Sequence, residues 1–352
     1  MADGPINLKA ADADAQLAKS TKPLVVLIDG KHCEIQHKVL KDVATVAYAD
    51  VHAIADIPEK VYAEAVGIFI YHPLEFQEAE LRKFKKLKVI ARLGTGYNNV
   101  DIKVAGEMGI TVSIVPDYGV EEIADTTMCM ILNVHRHMHL YANMVRQGVQ
   151  LHNFEETEEA GTGTRRVRGQ TLGLVGLGNI GVAVAVRAKA FGFNVLFYDP
   201  FLRHSVEKAL VIQRAKTLEE LLTNSDCLSL HCMLTKENYH FLNDKTLRLM
   251  KRGSMIVNTA RGGLIDELAL SKCLKDGQIG AACLDTLEKE PFNFTFDQPL
   301  HDAPNVICTP HCAFYSQESV IEMREKASLD VKRALAGEEL NGCVNNQFLK
   351  KK

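Results

Sequence analysis

The sequence predicts an α/β protein built from two doubly wound parallel sheets, and three observations carry that prediction. Short apolar runs alternate with helical patterns almost throughout, as parallel strands joined by crossover helices require. The chain has 352 residues, more than one ordinary core organises, so two domains are expected. Residues 171–199 read TLGLVGLGNIGVAVAVRAKAFGFNVLFYD, a βαβ unit with the glycine spacing of a dinucleotide-binding turn.

In the first part the strand candidates are residues 23–30, 43–50, 66–72, 88–94 and 110–116, separated by helical stretches such as PEKVYAEA and LEFQEAELRKFKKL. The second part repeats the alternation with TLGLVGLG, NVLFYD, DCLSLHC, SMIVNTA, IGAACLD and NVICTPH. Two long helical segments sit at the junctions. Residues 119–147 have acids in the first turn and a Met-rich apolar body, which predicts one continuous helix. Residues 316–336 predict a second, stopping before Gly337. Residues 148–169 are polar and glycine-bearing, hence a surface excursion. A Met- and Leu-rich helix beside such a loop suits a subunit interface, so pairing of two copies through 120–165 is expected. Residues 1–22 read as a flexible lead-in.

Composition narrows the function classes. Hydrophobic residues make up 47% and charged residues 24%, ordinary for a globular protein. A formal net charge of −3 gives no general attraction to nucleic acid or to an anionic membrane. No apolar run approaches the ~20 residues of a membrane span, and the N-terminus lacks the apolar core of a secretory signal. The nine cysteines are odd in number and contain no CxxC pair, so buried thiols in a reducing compartment are expected rather than a disulfide framework. Cys308 and Cys312 flank His311, but this strand-to-loop passage offers no second ligand pair for zinc. His135, His137 and His139 alternate by two and share no helix face. No metal is predicted.

In the βαβ unit, Gly176 permits a tight turn, Gly178 lets the backbone approach a pyrophosphate, and Gly181 lets the helix pack closely on the strand. The free N–H groups of the helix start attract phosphate oxygens. Asp199 lies where a carboxylate accepts hydrogen bonds from the adenosine ribose and repels a 2′-phosphate, which favours NAD over NADP.

Ligands of open parallel sheets lie beyond the carboxyl ends of the strands. After SMIVNTA comes Arg261, after IGAACL come Asp285 and then Glu290, and after NVICTP comes His311. Such a set suits hydride transfer between a nicotinamide and a 2-hydroxy or 2-keto acid. A guanidinium holds a carboxylate and polarises the adjacent carbonyl. An imidazole supplies or removes the alcohol proton, and a neighbouring carboxylate favours its charged form. Taken singly, Arg261 could equally be a surface charge, Glu290 a solvated loop acid and His311 a satisfied loop histidine. In the first part, Arg92-Leu93-Gly94-Thr95-Gly96 follows KVIA, offering donors to an anionic substrate or the cofactor, or forming an ordinary tight turn. His72 is similarly placed and similarly open.

These residues resemble the D-2-hydroxyacid dehydrogenase family, in which the glycine turn, ARGG, Glu-Pro and Pro-His occur in this order. Within it the sequence is most similar to the branch of NAD(H)-binding transcriptional corepressors, the C-terminal-binding proteins. The likeness runs from about Pro23 to Phe348 through phrases such as VLKDVATVAYAD, AVRAKAFGFNVLFYDP, VNTARGGLIDE, DAPNVICTPH and EMREKA. It implies Rossmann-like domains, with a dinucleotide domain (116–321) inserted into a substrate and peptide domain (23–115 with 322–352), and with the long helices as hinges around a cleft that the cofactor closes. It implies Arg261, Glu290 and His311 as catalytic residues. It implies NAD contacts from Thr95, Gly176, Gly178, Asn179, Ile180, Gly181, Asp199, Cys232, Met233, Leu234, Thr259, Ala260, Arg261, Asp285 and His311. His72, Arg92, Gly94, Gly96 and Phe314 would face a small 2-keto acid.

The resemblance further implies a homodimer or tetramer in nucleus and cytoplasm, with no direct nucleic-acid or membrane binding. Partners would be transcription factors with Pro-x-Asp-Leu-Ser peptides, partly held by strand addition at Ala47 and Val61. The alternative is a metabolic dehydrogenase without a corepressor role. Four departures stand out. Phe314 replaces the tryptophan of vertebrate members, which loosens the fit to thioether keto acids. Asn179 replaces a frequent arginine in the glycine turn. The 292–300 loop reads about one residue longer, and the sequence stops at Lys352 without the branch's long tail, as a trimmed or short form would.

Overall fold

The computed structural model describes residues 4–349 except 294, 296 and 297, so the reading of the 292–300 loop falls partly outside the described residues. The chain divides into two compact units, Met1–Tyr118 with Ser316–Lys352, and Gly119–Tyr315. These boundaries lie a few residues from those read in the sequence.

The first unit contains strands β1 (Ile6–Asn7), β2 (Leu24–Leu27), β3 (Thr45–Tyr48), β4 (Ala65–Ile70), β5 (Val89–Arg92) and β6 (Thr111–Ser113). They form one sheet in the order β1-β3-β2-β4-β5-β6, with every pairing parallel. The runs are continuously apolar because both faces are covered. Val26, Ile28, Ile68, Ile70 and Ile90 have no exposure and share one core with Leu8 and Val61.

The N-terminal stretch that reads as a flexible lead-in forms β1 and a short helix, Ala13–Leu17, with Leu8 and Ala13 buried. The helix Gln317–Ala336 starts at a capping box, where Ser316 Oγ accepts from Ser319 N at 2.8 Å. It stops at Gly337, whose φ of +78° is a left-handed state that favours glycine. Buried Asp330 on that helix accepts from Ser113 Oγ (2.5 Å) and Gly342 N (2.9 Å). Asn345 bonds Val112 N and Ile110 O, which fastens the C-terminal segment to β6.

The second unit contains β7 (Thr171–Val175), β8 (Asn194–Tyr198), β9 (Gln213–Arg214), β10 (Cys227–Leu230), β11 (Ser254–Asn258), β12 (Ile279–Leu284) and β13 (Val306–Cys308). Their order is β13-β12-β11-β10-β7-β8-β9, again all parallel. One apolar cluster covers each face.

The continuous helix predicted over 119–147 is instead two, Val120–Arg136 and Met138–Arg146. The chain breaks at His137, which adopts a left-handed φ of +52°. At the break Asn133 Oδ1 accepts from His139 N at 3.0 Å, satisfying a first-turn N–H of the second helix from within the first. Within 148–169, read as a loop, Phe154–Ala160 is helical with Asn153 as its cap. Among the described residues no helix is long and apolar enough to cross a membrane.

Candidate dinucleotide and catalytic site

Strand register places the candidate residues of the second unit in one row. Leu230 lies opposite both Val175 and Asn258, Asn258 opposite Leu284, and Leu284 opposite Cys308. The segments that follow, beginning at Gly176, His231, Thr259, Asp285 and Thr309, therefore emerge side by side at the carboxyl edge of the sheet, where such sheets bind ligands.

The glycine turn is shaped for a group pressed against its backbone. Gly176 has φ +92°, and a Cβ there would meet the His231 carbonyl oxygen at 2.8 Å and Cys232 N at 3.0 Å. A Cβ on Gly181 would meet the Gly176 oxygen at 2.5 Å, so the helix Asn179–Ala190 packs onto the turn because that side chain is missing. Gly178 caps this helix, and a Cβ on it would find no described atom within 4 Å. That open space beside the first turn of the helix, where the dipole is positive, fits a pyrophosphate. Asn179 and Ile180 open the helix.

Asp199, at the end of β8, accepts from Leu177 N (3.0 Å) through one oxygen and from Phe201 N (2.9 Å) and Leu202 N (3.1 Å) through the other. It thus ties the glycine turn to the next strand's exit. Arg214, which the sequence reading did not single out, donates to the carbonyls of Asp199, Leu202 and Arg203. It lies over the Phe197 ring at 4.7 Å. Across the turn, Cys232 and Leu234 are half-buried and Met233 is exposed. Burial pushes the Cys232 thiol up to about 11, so it is a neutral lining group near pH 7.

Arg261 follows β11 through Thr259 and Ala260. Asn258 shapes that turn: its Nδ2 donates to the Arg261 carbonyl (2.8 Å) and its Oδ1 accepts from Ala260 N (3.0 Å). Arg261 Nη1 donates to the Ala260 carbonyl at 2.6 Å, and Thr259 Oγ1 bonds Thr127 Oγ1 at 2.8 Å.

His311 and Glu290 meet. His311 Nδ1 lies 2.7 Å from Glu290 Oε2, and Glu290 Oε1 accepts from Leu287 N at 3.1 Å. The pair is about four-fifths buried. His311 has φ +52°, an uncommon backbone state for a residue with Cβ. Its N–H donates to the Asp285 and Thr309 carbonyls. Asp285 is almost fully buried, and its carboxylate accepts from Thr309 Oγ1 (2.6 Å), Cys312 N (2.9 Å) and Ala313 N (2.9 Å). In this structure Asp285 therefore fixes the loop that carries the histidine. Phe314 sets its ring edge-on to His311, 6.4 Å between centroids.

The remaining candidates belong to the first unit. Arg92 is buried and its Nη1 donates to the Leu93 carbonyl at 2.5 Å. Gly94, with φ +138°, leaves room for that guanidinium, since a Cβ would overlap it. Thr95 is exposed and Gly96 half-exposed. His72 sits on a loop clamped by two residues that sequence reasoning missed. Asn99 Nδ2 donates to the Tyr71 and Leu74 carbonyls, and both Asp29 oxygens accept from Tyr71 N. Burial pushes the Asp29 carboxyl up to about 6, against lowering by Tyr71 N–H, Arg92 and His52. The residues expected to take a peptide, Ala47 and Val61, have no exposure. The sheet edge beside them is taken by β1, with Ile6 opposite Ala47.

Known proteins share this architecture. Residues 128–313 match the family described as D-isomer specific 2-hydroxyacid dehydrogenase, NAD binding domain. The chain is 39% identical over 331 residues to C-terminal-binding protein 1 of Caenorhabditis elegans, covering 93% of this chain and 46% of that protein. It is 35% identical over 309 residues to D-3-phosphoglycerate dehydrogenase of Methanocaldococcus jannaschii, covering 88% and 57%. The chain thus spans about half the length of the curated relatives it matches. Among solved structures, a protein of Thermus thermophilus has a TM-score of 0.80 at 32% identity, covering 91% of this chain and 99% of that one. Aquifex aeolicus D-lactate dehydrogenase, solved with NAD and lactic acid, has a TM-score of 0.80 at 28% identity, covering 92% and 99%.

Proposed function

This chain belongs to the D-isomer specific 2-hydroxyacid dehydrogenase family, and from that premise we propose that it is an NAD(H)-binding transcriptional corepressor retaining a working 2-keto-acid reductase site. The observation that carries the chemistry is the His311–Glu290 pair, 2.7 Å apart, on the same sheet edge as the glycine turn. The likeness to the C-terminal-binding protein over 93% of this chain supports the corepressor role.

NADH, when bound, supplies the hydride. The turn Gly176–Gly181 would hold its pyrophosphate, with Asp199 on the ribose and Cys232–Leu234, Thr259–Arg261, Asp285 and Thr95 as further contacts. Arg261 would hold the keto acid's carboxylate and polarise its carbonyl. His311 would give its Nε2 proton to the carbonyl oxygen as charge develops there. Glu290, at Nδ1, would orient the ring and fix which nitrogen faces the carbonyl. His72, Arg92, Gly94, Gly96 and Phe314 would shape the substrate side. Exposed Met138, Val145, Val149, Leu151 and Phe154 support pairing of two copies through 120–165, because apolar groups concentrated in one segment suit an interface. Nucleus and cytoplasm are the expected locations.

A second reading, a metabolic dehydrogenase with no partner peptide, draws support from the covered edge of β3. Two measurements decide. His311→Ala should lower kcat/KM for NADH oxidation by a 2-keto acid at least about a hundredfold while NADH still binds; unchanged turnover would remove His311 from its role. Anisotropy with a Pro-x-Asp-Leu-Ser peptide tests the corepressor. No binding, either to the full chain or to one lacking residues 1–18, would leave the metabolic reading.

A further inference from the structure

The outer edge of β3 carries a guest from the same chain. Ile6 and Asn7 run parallel to β3, opposite Ala47 and Tyr48. Leu8 N donates to the Tyr48 carbonyl at 2.9 Å, and the Leu8 side chain is only 5% exposed, in the same core as Ala47 and Val61. Lys9 Nζ donates to the Asp50 carbonyl at 2.5 Å. Farther on, Ala13 is buried, and Asp14 pairs at 2.7 Å with Lys60, on the helix Glu59–Glu64 that bears Val61.

This attachment is short. Two strand residues and a five-residue helix close the edge. Segments held by few buried contacts open at low free energy compared with the core. Once lifted, the segment would expose unpaired N–H and C=O groups of β3 beside an apolar floor of Ala47 and Val61. That combination binds extended peptides by strand addition.

The seated residues also specify what such a peptide looks like. Pro5 brings no N–H to satisfy, Ile6 and Asn7 supply the backbone pairing, and Leu8 fills the apolar floor. Pro5-Ile6-Asn7-Leu8 is a Pro-x-Asp-Leu frame with asparagine in place of its near-isostere aspartate. We infer that residues 4–18 are a resident pseudo-ligand of the β3 edge, and that partner peptides of the form Pro-x-Asp-Leu bind this surface by displacing it. The external ligand rests on the corepressor reading above; the resident strand does not.

The test uses a labelled peptide of residues 4–17, GPINLKAADADAQL, titrated by anisotropy against three proteins. These are the full chain, a chain lacking residues 1–18, and full-length Leu8→Asp, which carries the test if the truncation does not fold. The peptide is expected to bind the truncated and Leu8→Asp chains at least about tenfold tighter than the full chain, because only the unseated fraction is competent. An unlabelled Pro-x-Asp-Leu-Ser peptide should compete it off. Equal binding of the Pro-x-Asp-Leu-Ser peptide to full and opened chains would overturn the displacement while leaving the corepressor reading intact. Binding of the chain's own peptide without competition would overturn the shared site and count against that reading. No binding of either peptide to an opened chain would overturn both.

Discussion

Gly178→Ala separates the cofactor site from the fold. Gly178 has φ −74° and ψ −167°, a conformation that alanine adopts freely, and its Cβ would meet no described atom within 4 Å. At a helix cap alanine is somewhat worse than glycine, but it also removes about 0.4–1 kcal/mol of unfolded-chain freedom. The two nearly cancel, so Tm should stay within about 3 °C. The added methyl does project into the space where phosphate oxygens would approach the helix N–H groups. Losing one charge-assisted hydrogen bond costs about 1.5–3 kcal/mol, which raises the NADH Kd roughly 10- to 150-fold. Gly176→Ala is the contrast, because its Cβ would press on His231 and Cys232 backbone at 2.8–3.0 Å and should cost stability itself. The chain contains no tryptophan, so energy transfer from indole is not available. Calorimetry or NADH's own fluorescence gives the affinity. A folded Gly178→Ala chain that binds NADH within about threefold of wild type would refute the placement of the phosphates.

Two further outcomes follow from two carboxylates, one buried and one half-buried. Asp285→Ala removes the acceptor of Thr309 Oγ1, Cys312 N and Ala313 N and should lower stability in urea by about 3 kcal/mol; a loss below about 1 kcal/mol would show that water or another group replaces it. Asp29 is protonated more readily in the folded chain, at about 6 against 3.8. Its contribution is therefore fully present below pH 3.8 and is lost as pH rises through about 6, a difference of about 3 kcal/mol. Asp29→Asn abolishes this loss, so its Tm advantage over wild type should grow by several degrees between pH 4 and pH 8; the same gap at both pH values would contradict the burial of that charge.

The repeated strands were readable because each is a short apolar run bounded by turn residues, and sheets covered on both faces need no alternation. The glycine turn was readable because its physics is local. The break at His137 was not: periodicity continues across it, and the Asn133 side chain that meets His139 N there reaches six residues on, a contact no local pattern reports. Nor was β1, since two residues carry no period. In the site, chain order put Glu290 and His311 after neighbouring strands, and the structure sets them in contact. The clamps made by Asn258, Asn99 and Arg214 left no comparable trace, because a polar residue reveals its partner only once the chain has folded. Asp285 is intermediate. Its position at a strand end marked it, while its engagement with the 309–313 backbone depends on β13 lying beside β12.

The acid–base pair, its buried anchor Asp285, Arg261 and the glycine turn all fall between Gly119 and Tyr315. A continuous stretch of polypeptide thus encodes the proposed proton-transfer pair and the phosphate-binding turn, while Thr95, His72, Arg92, Ala47 and the seated N-terminal strand are encoded outside it. Change in the flanking sequence can therefore alter what is recognised without retuning the proton-transfer geometry.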